Sequence, residues 1–238
     1  MLEVNTYEIR TKVYVLKDLL LQDSIEQVAN LCDLALVKDK KMEILHNEKT
    51  IKPYVVGNIY NCGSEINIIK TGDVVEFIVR TISEEIRDIL IKYLPNVNNS
   101  YFKAIISECS VIDRMNYNIV RTITPINTNF DNKYWRDADV REEELIVEII
   151  NNLSRKFSLF TGIYLGQFNA ETIYTLIESY RFIKDFPVYT KYKGIKLKGD
   201  LIEFKVQNNR VAQELFYLGL GCGLGLKCGR GFGCINVK

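Results

Sequence analysis

Tyr7 to Val15 reads Y-E-I-R-T-K-V-Y-V, and Ser24 to Leu36 reads S-I-E-Q-V-A-N-L-C-D-L-A-L; these two runs, eight residues apart, decide the fold of the first half. The first run reads as a strand, with apolar and charged residues in alternation. The second reads as a helix. Ser24 is placed to cap a backbone N–H while Gln27 reaches back, and Ile25, Val28, Ala29, Leu31, Cys32, Ala35 and Leu36 follow at helical spacing. The polar run Lys38-Asp39-Lys40-Lys41 ends that helix, which leaves His46 and Asn47 in the connection after it. Tyr54 to Tyr60 resumes as a strand, and Glu65–Ile69 with Val74–Thr81 reads as a hairpin turning at Thr71-Gly72-Asp73. A second helix starts at Ser83, carries Glu84 and Glu85 where the helix dipole favours them, and stops at Pro95. Tyr101–Ile112 and Val120–Thr124 are further strands. The order is β-α-β-β-α-β, the ferredoxin-like arrangement, which by itself assigns no activity.

Outward from that unit, Asn127 to Asp139 is polar and irregular, and it sets a boundary between residues 1–126 and 127–238. Arg141–Phe160 reads as a third helix with Leu145, Ile149, Ile150, Leu153 and Phe157 on one face. Strands follow near Ile195–Leu197 and Leu201–Val206, and then a short helix from Val211 to Leu218 with Gly219 at its C-cap. The fold class is α+β. A second half of this size and make-up is compatible with a degenerate copy of the first.

Composition narrows the class. Hydrophobic residues are 47% and charged residues 26% of 238, which is the balance of a soluble globular protein. No run of apolar residues reaches the length of a membrane span, and the N-terminus has no basic segment leading into an apolar one, so the expected setting is cytoplasmic, with no membrane partner. The cysteines at 32, 62, 109, 222, 228 and 234 form no C-x-x-C pair, so free thiols are expected and no metal site. Charge is unevenly spread. From Tyr189 to the end there are nine basic and three acidic residues, a net +6 against −5 for the preceding 188. Such asymmetry points to a localised anion site, though a solvated lysine-rich hairpin gives the same count. Lys191, Lys193, Lys196 and Lys198 nearly alternate, which on a strand puts several charges on one face beside Tyr189 and Tyr192. That pattern suits RNA, and it equally suits an edge protected from aggregation.

Gly219 to Gly233 reads G-L-G-C-G-L-G-L-K-C-G-R-G-F-G and holds seven of the fourteen glycines. Glycine loses the most backbone freedom on folding, so this density requires a cause. One is close approach of backbone N–H groups to a phosphate, with Lys227 and Arg230 adding charge; the other is a tight turn packed on a sheet. A dinucleotide fold is not expected, since five residues follow Gly233 here, nor is a P-loop, since Lys227 precedes Cys228 rather than Ser or Thr.

These residues resemble a family. The run from Glu214-Leu215 through Gly223-Leu224-Gly225 to Gly231-Phe232-Gly233 is similar to the tail of the CRISPR-associated endoribonucleases that process precursor CRISPR RNA, in the repeat-associated mystery protein superfamily. His46 followed by Lys52-Pro53-Tyr54, the element Thr124-Pro125-Ile126, and Asn152-Leu153-x-x-Lys156 resemble further landmarks in the family's order. The resemblance implies two tandem ferredoxin-like (βαββαβ) domains and cleavage within CRISPR repeat RNA without metal or cofactor. The implied reaction is attack of a ribose 2′-OH on its own 3′-phosphate, which calls for a base, a cation on the phosphorane and an acid for the leaving oxygen. By the same resemblance His46 takes a proton role and Lys52 the charge role, with Lys49 as the alternative. Family members also use a tyrosine on the first helix, where this chain has Leu31 and Leu34, so the third role falls to Tyr54, Tyr60 or Lys49, or to none of them. RNA contacts are expected from Gly223, Gly225, Lys227, Arg230, Gly231, Gly233, Lys191 and Lys193. The alternatives are a non-catalytic RNA-binding subunit, partnered by other CRISPR-associated proteins in an effector complex, and a nucleotide-binding regulator.

Overall fold

The computed structural model describes residues 4–48, 50–60, 68–192 and 194–238, with residues 45–47 described by their backbone. In the first half β1 (Tyr7–Val15) is followed by β2 (Leu19–Leu20), α1 (Leu21–Leu36), α2 (Lys40–Asn47), β3 (Tyr54–Tyr60), β4 (Ile68–Ile69), β5 (Val74–Thr81), α3 (Glu84–Tyr93) and β6 (Phe102–Val111). The main sheet has the order β3-β5-β1-β6 with every neighbouring pair antiparallel. Ile9, Val13 and Val15 of β1 are fully buried, as the alternation requires. They meet Val28, Leu31 and Cys32 of α1 and Ile86 and Leu90 of α3 in one core.

The second half repeats the plan with β7 (Ile119–Thr122), α4 (Glu142–Thr161), β8 (Ile177–Phe182), β9 (Val188–Tyr192), β10 (Ile195–Gly199), β11 (Ile202–Val206), α5 (Arg210–Cys222) and β12 (Ile235–Val237). Its sheet has the order β12-β7-β11-β8, and β9 and β10 form a separate hairpin. Numbered within each half, both sheets run 4-1-3-2, so the chain is two tandem ferredoxin-like units. The second core joins Ile146, Ile149 and Leu153 of α4 to Leu215 and Phe216 of α5. Among the described residues no helix is long and apolar enough to cross a membrane.

Several local expectations change. α1 begins at Leu21, and the Ser24 hydroxyl donates back to the Leu21 carbonyl at 2.7 Å instead of capping the helix. α1 ends at Leu36, ahead of the polar run as expected, but a second helix starts inside that run: the Asp39 carboxylate accepts from the Lys41 and Met42 amides and caps α2. His46 therefore belongs to the last turn of a helix, not to a connection. Ile68–Ile69 pairs with Leu19–Leu20 rather than with β5, and Glu65 lies outside the described residues. The strand expected at Val120–Thr124 is β7 of the second sheet, so the change of sheet falls between Val111 and Ile119, ahead of the 126/127 boundary. The polar segment beyond β7 stays ordered because Tyr134 and Trp135 donate to the buried Asp200 carboxylate at 2.7 and 2.8 Å. α5 runs past Gly219 and is capped at Gly223.

The two units are joined through polar groups buried between them. Arg80 of β5, 4% exposed, pairs with Glu8 at 2.7 Å and donates to the Ile235 carbonyl and to Asn236 Oδ1 on β12. Burial alone would raise the Glu8 carboxyl, and the Arg80 and Arg10 guanidiniums together outweigh it and hold that carboxyl below its ordinary range. Nearby, Val55 and Ile78 of the first sheet pack on Cys228 and Cys234 of the tail. The C-terminal loop thus sits directly on the first unit.

Candidate functional site

The glycine-rich loop is held from beneath by one lysine. Lys156 of α4 is 3% exposed, and its ammonium donates to the carbonyls of Cys222, Gly223 and Gly225 at 3.3, 2.8 and 2.9 Å, with Cys228 Sγ at 3.2 Å. A helix ends with unpaired carbonyls and partial negative charge, so a cation there answers both. The loop closes on itself just as tightly. At Gly233 (φ +66°) a Cβ would lie 1.8 Å from the Leu224 carbonyl oxygen, and at Gly231 (φ +87°) one would lie 2.4 Å from Ile25 of α1. Gly223, Gly231 and Gly233 are buried and do not line the cleft described below. Close neighbours at each of these positions call for glycine there on packing grounds. The loop's solvent surface is Leu226, Lys227 and Arg230.

Those two cations face the first unit across a cleft of about 670 Å³. One wall is Glu48, Thr50, Ile51, Lys52 and Tyr54 after α2, with Asp33 of α1; the other is Gly225–Arg230; Asn152 and Lys156 of α4 lie along it with Asn129 and Tyr192. Lys52, Gly225, Lys227 and Arg230, expected from sequence, meet here although they come from opposite ends of the chain. The Lys52 ammonium donates to the Glu48 carbonyl at 2.9 Å, at the C-terminal end of α2. Burial lowers the Lys52 pKa, Glu48 opposes that, and Arg230 lowers it further. Lys227 donates to Asn127 Oδ1 at 2.9 Å, and burial and Arg230 lower its pKa. The Arg230 guanidinium lies 4.6 Å from the centre of the Tyr192 ring, a cation–π contact that fixes its direction.

α2 delivers its last turn, including His46, two residues before this wall, while the His46 side chain, Lys49 and Lys193 lie outside what is described. Tyr54 is buried, with its ring against Gly229, and burial above all raises its pKa, so the phenol stays neutral. Tyr60 packs with Val55, Ile78, Cys228 and Cys234 and is not on the cleft. In the β9–β10 hairpin the register places Lys191 opposite Lys196 and Tyr189 opposite Lys198, all on one face. Lys191 is paired with Asp23 at 3.3 Å and Lys198 with Asp137 at 2.6 Å, so neither offers its full charge. Cys32, Cys222, Cys228 and Cys234 are buried free thiols, Cys109 is exposed, and Cys62 lies outside the described residues.

Sequence reading missed Asn152 and Lys156 as site residues, although their spacing of four puts both on one face of α4. It also missed Asp33, Glu48 and Asn129, which carry no motif.

A family model described as "CRISPR associated protein Cas6, C-terminal" matches residues 107–237. No curated protein matches the chain. Among solved structures, one entitled "CRISPR associated protein Cas6" superposes with a TM-score of 0.68 at 16% identity, covering 98% of this chain and 99% of that one. A second, described as a RAMP protein binding different RNA substrates, gives 0.69 at 16% identity with 98% and 99% coverage. A Cas6-related protein from Pyrococcus furiosus gives 0.67 at 14% identity, with 98% of each chain covered. At these identities the likeness is one of fold.

Proposed function

Because the chain belongs to the Cas6 family of CRISPR-associated proteins, we propose that it binds CRISPR repeat RNA in the cleft and cuts it without a metal by 2′-OH attack on the adjoining phosphate. The observation that carries this reading is the convergence of Lys52, Lys227 and Arg230 on one cleft, directly after the helix that bears His46. Lys227 and Arg230 hold backbone phosphates. Lys52 supplies positive charge where the phosphorane gains negative charge. His46, whose side-chain type titrates near neutrality, moves the proton at the 2′-OH or at the leaving 5′-oxygen. Tyr54, buried and held neutral, is unsuited to act as a base and supports the loop through Gly229.

The test is incubation with labelled repeat RNA in EDTA. Cleavage is expected to persist, to stop with His46→Ala and to fail on RNA carrying a 2′-deoxy sugar at the scissile position. Binding without cleavage under every condition would favour a second reading, a non-catalytic RNA-binding subunit of an effector complex. The observation on that side is the pair of carboxylates, Asp33 and Glu48, lining the cleft beside Lys52, which weaken the field a phosphate meets.

A further inference from the structure

Asn152 differs in its hydrogen bonding from the neighbouring amide Asn151 and from Asn127, the other buried amide among the described residues. It is 5% exposed, it lines the cleft, and its Oδ1 is sealed from solvent with no hydrogen-bond partner among the described residues. Its neighbour Asn151 is fully engaged: Oδ1 accepts from the Phe168 amide at 2.8 Å and Nδ2 donates to the Phe168 carbonyl at 2.9 Å. Asn127, as deeply buried, donates to the Lys198 carbonyl and accepts from Lys227. Buried polar groups are normally paired, and an unpaired one at a cleft marks a position kept for something other than stability.

We propose that Asn152 recognises the edge of a single nucleobase, preferentially adenine, inserted from the bound RNA to the floor of the cleft. This rests on the RNA reading above. Depth argues for a base rather than a phosphate. The exposed cations Lys227 and Arg230 stand at the rim, where a backbone tethered on both sides can run. A base hangs from one glycosidic bond, is flat, and reaches inward when it is unstacked. Chemistry argues for adenine. A carboxamide offers a donor and an acceptor side by side, and with the side chain turned so that the now sealed Oδ1 reaches the cleft together with Nδ2, the two match the adjacent amino group and ring nitrogen of adenine in a bidentate pair. Guanine is usually read by a lysine or arginine, and the cation next to Asn152 on the floor, Lys156, already donates to three carbonyls and faces a thiol. The rim supplies affinity and the floor supplies selection.

The experiment measures binding of ten-nucleotide uridine RNAs carrying one adenine at successive positions, each against the all-uridine RNA. The wild-type protein is expected to prefer adenine at one position by about tenfold or more, the scale of one bidentate contact. Asn152→Leu, close in volume, is expected to reduce that ratio to within about twofold while the melting temperature stays level or rises, because removing a buried polar group that has no partner does not cost stability. In a second arm the wild-type protein meets RNA with purine in place of that adenine, which lacks the amino group, and the preference is expected to vanish. An adenine preference that survives either change overturns the proposal. So does a lowered melting temperature in Asn152→Leu, which would mean that the amide is satisfied within the fold or by a fixed water. If the wild-type protein binds none of these RNAs, the RNA reading itself fails, and that outcome differs from tight binding without a base preference, which overturns the role of Asn152 alone.

Discussion

Lys52 and Lys156 line the same cleft, and each donates to carbonyls at a helix C-terminus, yet they differ in what surrounds them. Lys156 is buried on α4 and tied to three carbonyls at the end of α5. Lys52 is half-buried on the opposite wall, where it donates to Glu48 at the end of α2. A buried ammonium surrounded by fixed acceptors cannot follow a reacting phosphate; a half-buried one at the wall of the cleft can. Burial and partner geometry, more than residue type, separate the lysine that builds the site from the one proposed to act in it.

The largest effect expected from breaking this contrast is at Lys156. Lys156→Met leaves three buried carbonyls without their donor, and each such loss costs about 1–3 kcal/mol. Denaturant unfolding is expected to show a loss of about 3 kcal/mol or more, together with weaker RNA binding as the loop loosens. A loss below about 1 kcal/mol would mean that the loop does not depend on this cation.

At Lys52 the effects are expected to be reversed in kind. Lys52→Met should change stability by less than about 1 kcal/mol, since a half-exposed group gives up little, and should lower the cleavage rate about 10²- to 10³-fold, the scale of one lost transition-state contact. The pH dependence sharpens this. With the folded-state pKa lowered by burial and Arg230, the unfolded chain binds more protons over the interval between the two pKa values, so this group's contribution to stability improves as pH rises through it. Cleavage loses the cation over the same interval. The alkaline limb of the wild-type cleavage profile is therefore expected below the ordinary lysine range, and Lys52→Arg should move it upward, because arginine stays charged.

How much of this was legible in the sequence follows the same division. The strand of alternating residues at Tyr7–Val15 and the periodic helices declared the first unit because their burial pattern is local. α2 was missed because its cap, Asp39, sits inside a charged run that reads as a stop. β8 was missed because Ile177 alone of its six residues is buried, leaving little apolar signal. Lys52, Lys227 and Arg230 could be singled out as charged residues beside motifs, whereas the work of Lys156 depends on carbonyls more than sixty positions away. The glycines left one question open: their density was evident, but the close packing that calls for them shows only in distances such as that from Gly233 to Leu224.

A smaller effect separates two left-handed glycines. Gly162 caps α4 at φ +73° with nothing within 4 Å of where a Cβ would stand, and Gly233 has the Leu224 carbonyl at 1.8 Å from that point. Gly162→Ala is expected to cost about 1 kcal/mol from backbone strain alone. Gly233→Ala must also displace backbone, and should cost at least about twice that. Equal losses in thermal unfolding would remove packing as the reason for the glycine at 233.

The smallest effect tests the hairpin against the loop. Lys191 and Arg230 are both basic, but Lys191 is partly exposed and held by Asp23, while Arg230 stands on the Tyr192 ring at the cleft wall. An exposed ion pair contributes at most about 1 kcal/mol to stability. Lys191→Ala should therefore leave stability within about 0.5 kcal/mol and weaken RNA binding less than about threefold, because much of its charge is already answered by Asp23. Arg230→Ala should weaken binding more and make it less salt-dependent, by roughly 0.7 in the logarithmic slope for one single-strand phosphate contact. Asp23→Asn supplies the converse: it releases Lys191 and should tighten binding slightly. A loss of about tenfold in Lys191→Ala, well beyond what an answered charge can give, would place the RNA path across the hairpin as well as along the cleft.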